Sequence, residues 1–301
     1  MFDEQLVVIG TGIRTIGQMT TESIAWIKKA DKVVYIVSDP IAENLIKTLN
    51  PDGAESMYHL YAENKQRINT YNEMIDKVLG YVREGKRVCF AAYGHPGVFA
   101  YPTHESVRRA KAEGFKARML PGVSAEDCLF ADMNIDPAMS GCQSYEATDF
   151  LINGRVIDPS SHVILWQIGV LGDATFKKVV YDTKGWPQLL QKLFQYYSPY
   201  HVAYVYEAPL FPGVEPVIRP TSLIMLPYSG VSAISTLYIP PGTPPRPDYA
   251  TAYALGLMQY PGAAHQQPAQ QPQPNGHQPQ PPAPPPPAPP APQQTTSDSQ
   301  Q

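Results

Sequence analysis

The sequence contains few cysteines, and their spacing matches no known cysteine motif. Only Cys89, Cys128 and Cys142 occur among the 301 residues, far apart and without a C-x-x-C spacing. Cys89 and Cys128 lie in apolar runs. We therefore expect neither a disulfide framework nor a cysteine zinc site, and the three thiols are predicted to be the reduced thiols of an intracellular protein.

Long apolar runs and a strong excess of one charge are also missing. No stretch reaches the roughly 20 apolar residues that cross a bilayer. The first residues, MFDEQLVVIG, lack the basic segment of a signal peptide. The formal net charge of −4 argues against a nucleic-acid backbone as the main partner. The sequence therefore predicts a soluble, cytoplasmic protein that binds neither membrane nor nucleic acid.

The first part of the chain alternates between short apolar runs and amphipathic segments. The runs that predict strands are LVVIG, KVVYIV, RVCFAAY and FKARML. Strands separated by helices indicate an α/β fold with a doubly wound parallel sheet, which we assign to residues 1–121.

After residue 121 strands and helices no longer alternate. One clear helix, WPQLLQKLFQYY, remains among four strand-like segments, which are HVILWQIG, HVAYVYEA, SLIMLP and AISTLYIPP. We predict a second domain with a mixed α/β sheet over residues 122–245 and a C-terminal extension over residues 246–301. From about residue 261 the extension is rich in proline and glutamine, which predicts disorder. A bare tail and a ligand for a proline-binding partner both remain open.

Four loops rich in glycine or proline follow the predicted strands of the first sheet. Their sequences are GTG, SDP, YGHPGV and LPGVS. Because ligands bind at the carboxyl ends of strands in such sheets, we expect these loops to form one site. GTGIRTIG departs from the G-x-G-x-x-G spacing, so a nicotinamide cofactor is not expected. His95 has no second metal ligand at a suitable spacing, and we predict no metal.

These loops resemble those of the tetrapyrrole methylase superfamily, the class III methyltransferases that use S-adenosylmethionine (SAM). A closer resemblance, over about residues 5–245, is to borosin peptide α-N-methyltransferases, which methylate backbone amides of a precursor peptide. The motifs that carry it include GTGIRTIGQMT, KQRINTY, YGHPGVF, SYEATDFLI and AISTLYIPP. The resemblance implies two α/β domains with SAM in the cleft between them, a homodimer, and a precursor peptide as partner. The superfamily motif G-D-P reads Gly94-His95-Pro96 here.

The resemblance also implies two sets of site residues. The catalytic set consists of Tyr61, Arg67, Tyr71 and Tyr93. The SAM-contacting set consists of Tyr93, His95, Val98, Ser124, Ala125, Gln167, Ser235 and Thr236. The C-terminal extension lacks a run of methylatable core residues, and its many prolines have no amide hydrogen to replace. We therefore expect the split type, with the precursor supplied as a separate chain.

The chemistry gives a physical reason for phenols beside an arginine. An amide nitrogen is a poor nucleophile because its lone pair is delocalised, so a base must take its proton while a donor holds the carbonyl oxygen. A phenol has a pKa of about 10, which a nearby guanidinium lowers and burial raises. Arg67 and Tyr71 have the i, i+4 spacing that brings side chains together on a helix.

Our hypothesis is that Tyr71, with its pKa lowered by Arg67, takes the amide proton. Tyr61 and Tyr93 then hold the carbonyl oxygen or position the peptide, and which phenol is the base stays open. Two other functions remain as alternatives. One is a class III methyltransferase that acts on a tetrapyrrole or another small molecule. The other is a non-catalytic SAM-binding scaffold whose extension recruits partners.

Overall fold

The computed structural model describes residues 3–258 except residues 38, 180 and 183. The chain separates into two compact units, the first ending at residue 246 and the second beginning at residue 247. The described part of the second unit contains one helix, which Asp248 caps by accepting a hydrogen bond from the amide of Thr251. The segment that we predict to be disordered, from about residue 261, lies outside the described residues. Our division of residues 1–245 at 121/122 stays a prediction.

The first sheet is parallel and has five strands. In chain order they are β1 (Leu6–Gly10), β2 (Lys32–Ile36), β3 (Ala54–Ser56), β4 (Val88–Ala92) and β5 (Ala117–Met119). In space the order is β3-β2-β4-β1-β5. The central strands β1 and β4 are buried along their whole length, as expected for a parallel sheet covered on both faces. The predicted parallel sheet is confirmed.

Helices cover both faces of this sheet. They are α1 (Thr15–Gln18), α2 (Thr21–Lys29), α3 (Pro40–Leu49), α4 (Arg67–Arg83) and α5 (Tyr101–Ala112). Thr20 caps α2 by accepting from the amide of Ser23, and Asp39 caps α3 by accepting from the amide of Ala42. The long helix α4 buries an apolar stripe, which includes Met74, against the sheet. The helix α4 begins at Arg67, which lies inside the predicted catalytic segment.

The second sheet is mixed and also has five strands. They are β6 (Cys142–Glu146), β7 (His162–Trp166), β8 (Val202–Glu207), β9 (Val217–Ser222) and β10 (Thr236–Ile239). Their spatial order is β6-β7-β10-β8-β9, in which only β6 and β7 run parallel. The helices that follow the first sheet are α6 (Ala125–Asp132), α7 (Pro137–Ser140), α8 (Ala147–Ile152), α9 (Trp186–Leu193) and, in the second unit, α10 (Tyr249–Ala254).

One predicted strand of the second sheet is wrong. SLIMLP corresponds to a 3₁₀ helix, Leu223–Tyr228, that follows directly after β9. Leu223 and Leu226 are both fully buried, and their spacing of three residues matches the 3₁₀ period. Pro227 has no amide hydrogen for a strand ladder. The strands β3, β6 and β9 are not among the predicted strands.

Three of the four loops that we predict to form one site, those after β1, β4 and β5, approach each other closely, whereas Asp39 of the fourth loop, SDP, lines a different cavity. A Cβ atom on Gly10 would lie 2.3 Å from the carbonyl oxygen of Gly94 and 3.3 Å from the Cα of Gly122. Such contacts exclude any side chain at Gly10. The loops after β1, β4 and β5 therefore pack backbone against backbone, which fixes the floor of a site at this edge of the sheet.

Within residues 3–258, leaving out the three gaps, no helix has both the length and the apolar character that a bilayer crossing requires.

Candidate functional site

A cavity of about 290 Å³ lies between the loops of the first sheet and strands β7, β8 and β10 of the second. Seven of the eight residues that we predict to contact SAM line it: Tyr93, His95, Val98, Ser124, Ala125, Gln167 and Thr236. We call this the first cavity. The remaining predicted residue, Ser235, is fully buried, and its hydroxyl donates a 2.5 Å hydrogen bond to Glu207. Ser235 therefore anchors the chain that leads into β10.

The walls of the first cavity are mostly apolar and include several aromatic rings. Phe99, Trp166 and Tyr206 line it, and the rings of Phe99 and Trp166 lie 6.0 Å apart between centroids. Glu126 is the single carboxylate among the described lining residues, and no lysine or arginine lines the cavity there. Aromatic walls suit an adenine ring, and one carboxylate suits a cation. The residues present therefore fit SAM, which carries an adenine and a positively charged sulfonium.

Ser124 has a structural role beside its place in this wall. Its hydroxyl donates to a carboxylate oxygen of Asp127 over 2.7 Å and accepts a hydrogen bond from the Asp127 amide. The bond from the Asp127 amide, together with one that the Ser124 amide donates to the Asp127 carboxylate over 2.7 Å, forms a capping box at the start of α6. Because its hydroxyl hydrogen and its amide hydrogen are both used in these bonds, Ser124 has no free donor for a ligand in the first cavity.

A second cavity of about 560 Å³ adjoins the first. It is lined by Arg67, Tyr71 and other residues of α4 and α5, together with the loop that begins at Gly172. Phe99, Ala100 and Gln167 line both cavities. These shared residues therefore form the boundary between the predicted SAM site and the predicted catalytic residues.

Two of these boundary residues have unusual backbone conformations. Phe99 has φ of 48° and Gln167 has φ of 60°, the left-handed region that side chains other than glycine rarely adopt. Such conformations are maintained when surrounding structure holds them, and they occur often at functional sites. The carbonyl of Gln167 caps a 3₁₀ turn at its N-terminus, and the next residue, Ile168, donates its amide to the Ser235 carbonyl over 3.2 Å. The fold therefore fixes the side chain of Gln167 at the boundary.

Tyr61 and Tyr71 are neighbours beside Arg67. The interaction between the two phenols lowers the pKa of Tyr71 and raises that of Tyr61. Both phenols pack against the core beneath α4, and Tyr61 stacks on Phe176 with ring centroids 4.7 Å apart. Negative charge is thus better accommodated on Tyr71 than on Tyr61.

One part of the electrostatic hypothesis is wrong. We predicted that Arg67 lowers the pKa of Tyr71 enough to make it acidic. Arg67 does lower it, but burial has the larger effect, and the pKa of Tyr71 stays above its ordinary value. Burial likewise raises the pKa of Tyr61. Both hydroxyls are therefore protonated at neutral pH.

Arg67 is held in place by residues 173–176, a short segment of the chain between β7 and α9. Its amide donates to the carbonyl of Ala174 over 2.9 Å, and its guanidinium donates to the carbonyl of Asp173. The amide of Asn64 donates to the Phe176 carbonyl over 2.8 Å, which extends the same ladder. The guanidinium is therefore held, partly buried, at the wall of the second cavity, close enough to both phenols to lower their pKa values.

Tyr93 lies apart from this pair, at the mouth of the first cavity. The residue as a whole is 37% exposed, yet the surroundings of its hydroxyl raise its pKa to about 12, chiefly by burial. Tyr93 is therefore neutral at physiological pH. A neutral phenol at this place can donate a hydrogen bond to a ligand.

Sequence reasoning missed several residues of the site. Tyr181 raises the pKa of both Tyr61 and Tyr71 electrostatically, and its hydroxyl accepts from the amide of Lys177 over 3.0 Å. Glu126 lines the first cavity. The sequence gives little signal for either, since Tyr181 lies in an irregular loop and an acid in the first turn of a helix is common.

The described residues offer no metal centre. Within residues 3–258, gaps excepted, no group of three or more His, Cys, Asp and Glu side chains is placed to hold an ion.

The chain matches the family of tetrapyrrole (corrin/porphyrin) methylases over residues 5–209. Its fold is similar to that of a cobalt precorrin-4 methyltransferase, with a TM-score of 0.57 at 16% identity over 78% of this chain and 95% of the other. A uroporphyrin-III C-methyltransferase from Thermus thermophilus gives a TM-score of 0.56 at 15% identity, over 86% and 99% of the two chains. The predicted class III methyltransferase fold, a parallel sheet followed by a mixed sheet, is confirmed.

Curated relatives are more similar in sequence. A methyltransferase/type I borosin cyclic peptide precursor from Coprinopsis marcescibilis is 43% identical over 247 residues, covering 80% of this chain and 63% of the relative. The methyltransferase/omphalotin A precursor from Omphalotus olearius is 43% identical over 240 residues, covering 78% and 57%. The chain thus spans less than two thirds of the length of these relatives, whose names join the methyltransferase and the peptide precursor in one protein.

Proposed function

The chain belongs to the tetrapyrrole (corrin/porphyrin) methylase family, and we propose that it is a SAM-dependent methyltransferase that N-methylates backbone amides of a ribosomally made precursor peptide. The relatives named as methyltransferase and borosin precursor support the peptide substrate. By the same resemblance we propose a homodimer. The observation that carries the proposal is the pair of adjoining cavities, one fit for SAM and one containing Arg67 and Tyr71.

We assign the first cavity to SAM, which supplies an electrophilic methyl group when bound. Aromatic rings hold the adenosine, and the boundary residues Phe99 and Gln167 confine the reacting groups to the passage between the cavities. This confinement would shield the amide from water and hold it beside the methyl group that SAM would supply. The protein thus positions the reacting groups in addition to moving the amide proton.

Tyr71 is the residue that we assign to the amide proton. Both Tyr61 and the positive charge of Arg67 lower the pKa of Tyr71, whereas Tyr71 raises that of Tyr61, so Tyr71 is the phenol of the pair on which negative charge is best stabilised. Because burial keeps its pKa high, only a small fraction of the protein carries the Tyr71 phenolate at neutral pH. That phenolate is a strong base, and it takes the proton as the amide nitrogen becomes nucleophilic.

Arg67 and Tyr93 stabilise the charge that develops on the peptide. Removal of the amide proton moves negative charge onto the carbonyl oxygen, where a cation or a neutral hydroxyl donor stabilises it. Arg67 lines the second cavity and is oriented by the carbonyls of Asp173 and Ala174. Tyr93 remains a neutral donor at the mouth of the first cavity.

The substrate is proposed to be a separate chain. Residues 259–301 are dominated by proline, glutamine and alanine, and the prolines have no hydrogen on the backbone nitrogen. This composition offers few amides of the aliphatic kind that we expect in a methylated core. In the relatives, by contrast, the precursor belongs to the same protein.

Tandem mass spectrometry after co-expression with a precursor peptide encoded beside the gene tests the proposed function. We expect added CH₂ units on backbone nitrogens of that peptide and none on its side chains. A peptide with the same composition in scrambled order is the matched control for recognition.

Two outcomes of this experiment contradict the proposal in different ways. A methyl group on a corrinoid or porphyrin supplied in the same assay, with none on the peptide, contradicts the substrate class. Methylation confined to residues 259–301 of the protein itself keeps the chemistry and contradicts the separate precursor.

A further inference from the structure

The carboxylate of Glu126 has no structural partner of opposite charge at the wall of the first cavity. No lysine or arginine lines this cavity in the described part of the chain. Burial, as the largest effect, raises the pKa of Glu126, and the neighbouring Asp127 raises it further. The carboxylate is thus partly removed from water without a compensating cation, an arrangement that disfavours the empty site.

The carboxylate is nevertheless held in a defined orientation. The indole nitrogen of Trp166 donates a 2.6 Å hydrogen bond to the hydroxyl oxygen of Ser144. That hydroxyl has one hydrogen of its own, and its bond to Glu126 lowers the pKa of the carboxyl group, as a donated bond does. Ser144 therefore favours the charged form of the Glu126 carboxylate, and Glu126 also lines the first cavity.

A structural role at the start of α6 does not explain Glu126. That role belongs to Asp127, whose carboxylate accepts from both the amide and the hydroxyl of Ser124 over 2.7 Å. The N-terminus of a helix stabilises an acid in its first turn, but for Glu126 burial outweighs this effect, because its pKa is raised. The neighbouring acids therefore have different tasks, one capping the helix and one facing the cavity.

We propose that Glu126 is a recognition residue for a cationic group of the cofactor, either the sulfonium or the α-ammonium of SAM. This inference rests on the proposed function, since it assigns the first cavity to SAM. A charged hydrogen bond or close ion pair in a partly buried site is worth roughly 1.5–3 kcal/mol, about tenfold to a hundredfold in affinity. If the partner is the sulfonium, the same carboxylate disfavours S-adenosylhomocysteine, in which the sulfur is neutral, and so promotes product release.

Isothermal titration calorimetry with three ligands tests this assignment. SAM carries both cationic groups, S-adenosylhomocysteine carries only the ammonium, and 5′-methylthioadenosine carries neither. We expect Glu126→Gln to weaken SAM binding by about tenfold or more and 5′-methylthioadenosine by less than about twofold. If Glu126→Gln weakens the binding of S-adenosylhomocysteine as much as that of SAM, the partner of Glu126 is the ammonium. If the affinity for S-adenosylhomocysteine is unchanged, the partner is the sulfonium.

Two further variants separate recognition from a loss of structure. Ser144→Ala removes the hydroxyl that orients the carboxylate and is expected to weaken SAM about threefold. Glu113→Gln removes a remote carboxylate that pairs with Arg83 and is expected to leave SAM binding unchanged. The inference is overturned if Glu126→Gln leaves SAM binding within about twofold of wild type, or if 5′-methylthioadenosine loses as much as SAM. A wild-type protein that does not bind SAM at all overturns the proposed function with it.

Discussion

Tyr71→Phe is expected to reduce the rate of peptide methylation by about 10²–10⁴-fold, the usual effect of removing a general base. The substitution removes one oxygen and keeps the ring, which packs against the core beneath α4. Binding of SAM should therefore be unchanged, because Tyr71 lines only the second cavity. Single-turnover rates with saturating peptide, together with a SAM titration, measure both quantities.

The matched control for this prediction is Tyr81→Phe. Tyr81 lies on the same helix, and its hydroxyl donates a 2.6 Å hydrogen bond to Glu55, away from both cavities. Removing that hydroxyl should leave the methylation rate within about twofold of wild type. A Tyr71→Phe variant that methylates at the wild-type rate shows that another group takes the amide proton.

Arg67→Met is expected to lower the methylation rate by about 10²–10³-fold, comparable to the loss of one preorganised donor in other enzymes. The guanidinium stabilises charge on Tyr71 and on the peptide carbonyl, and it is held in position by the carbonyl of Asp173, while the Ala174 carbonyl holds the backbone amide of Arg67. Arg67→Lys keeps the charge and loses the planar fork of donors, so we expect a smaller loss, about tenfold.

Separate measurement of kcat and KM distinguishes this catalytic role of Arg67 from a purely structural one. Arg67 also joins α4 to residues 173–176, so a purely structural role predicts weaker peptide binding with kcat unchanged. Our account predicts that kcat falls and that KM changes little. Arg83→Met is the control, because Arg83 ends the same helix in a surface ion pair with Glu113. The assignment is contradicted if Arg67→Met and Arg67→Lys raise KM by the same factor and leave kcat unchanged.

Residue spacing was enough to predict the centre of the site. Arg67 and Tyr71 lie four residues apart, and the structure places them on one helix that begins at Arg67. The glycine- and proline-rich loops after β1, β4 and β5 follow strands that the apolar runs reveal, so their meeting at one sheet edge was predictable. Short or irregular elements were not, since β3 has three residues and the 3₁₀ helix Leu223–Tyr228 has the apolar content of a strand.

The electrostatics of the site could not be predicted from spacing. Whether Arg67 or burial decides the pKa of Tyr71 depends on how much water reaches the hydroxyl, which is a property of the folded packing. The same holds for Glu126, whose sequence context is that of an ordinary acid in the first turn of a helix. The left-handed backbone of Phe99 and Gln167 has no signal in residue type either, because both are residues that rarely adopt it.

The pH dependence of single-turnover methylation tests the central claim most directly, namely that Tyr71 is protonated at rest and reacts as its phenolate. Its pKa lies above the ordinary value near 10, so the phenolate fraction grows about tenfold for each pH unit between about pH 7 and 9. We predict that the wild-type rate rises with this slope and does not level off below about pH 9. The residual rate of Tyr71→Phe should lack the rise. A wild-type rate that is already constant from about pH 7 upward contradicts the account.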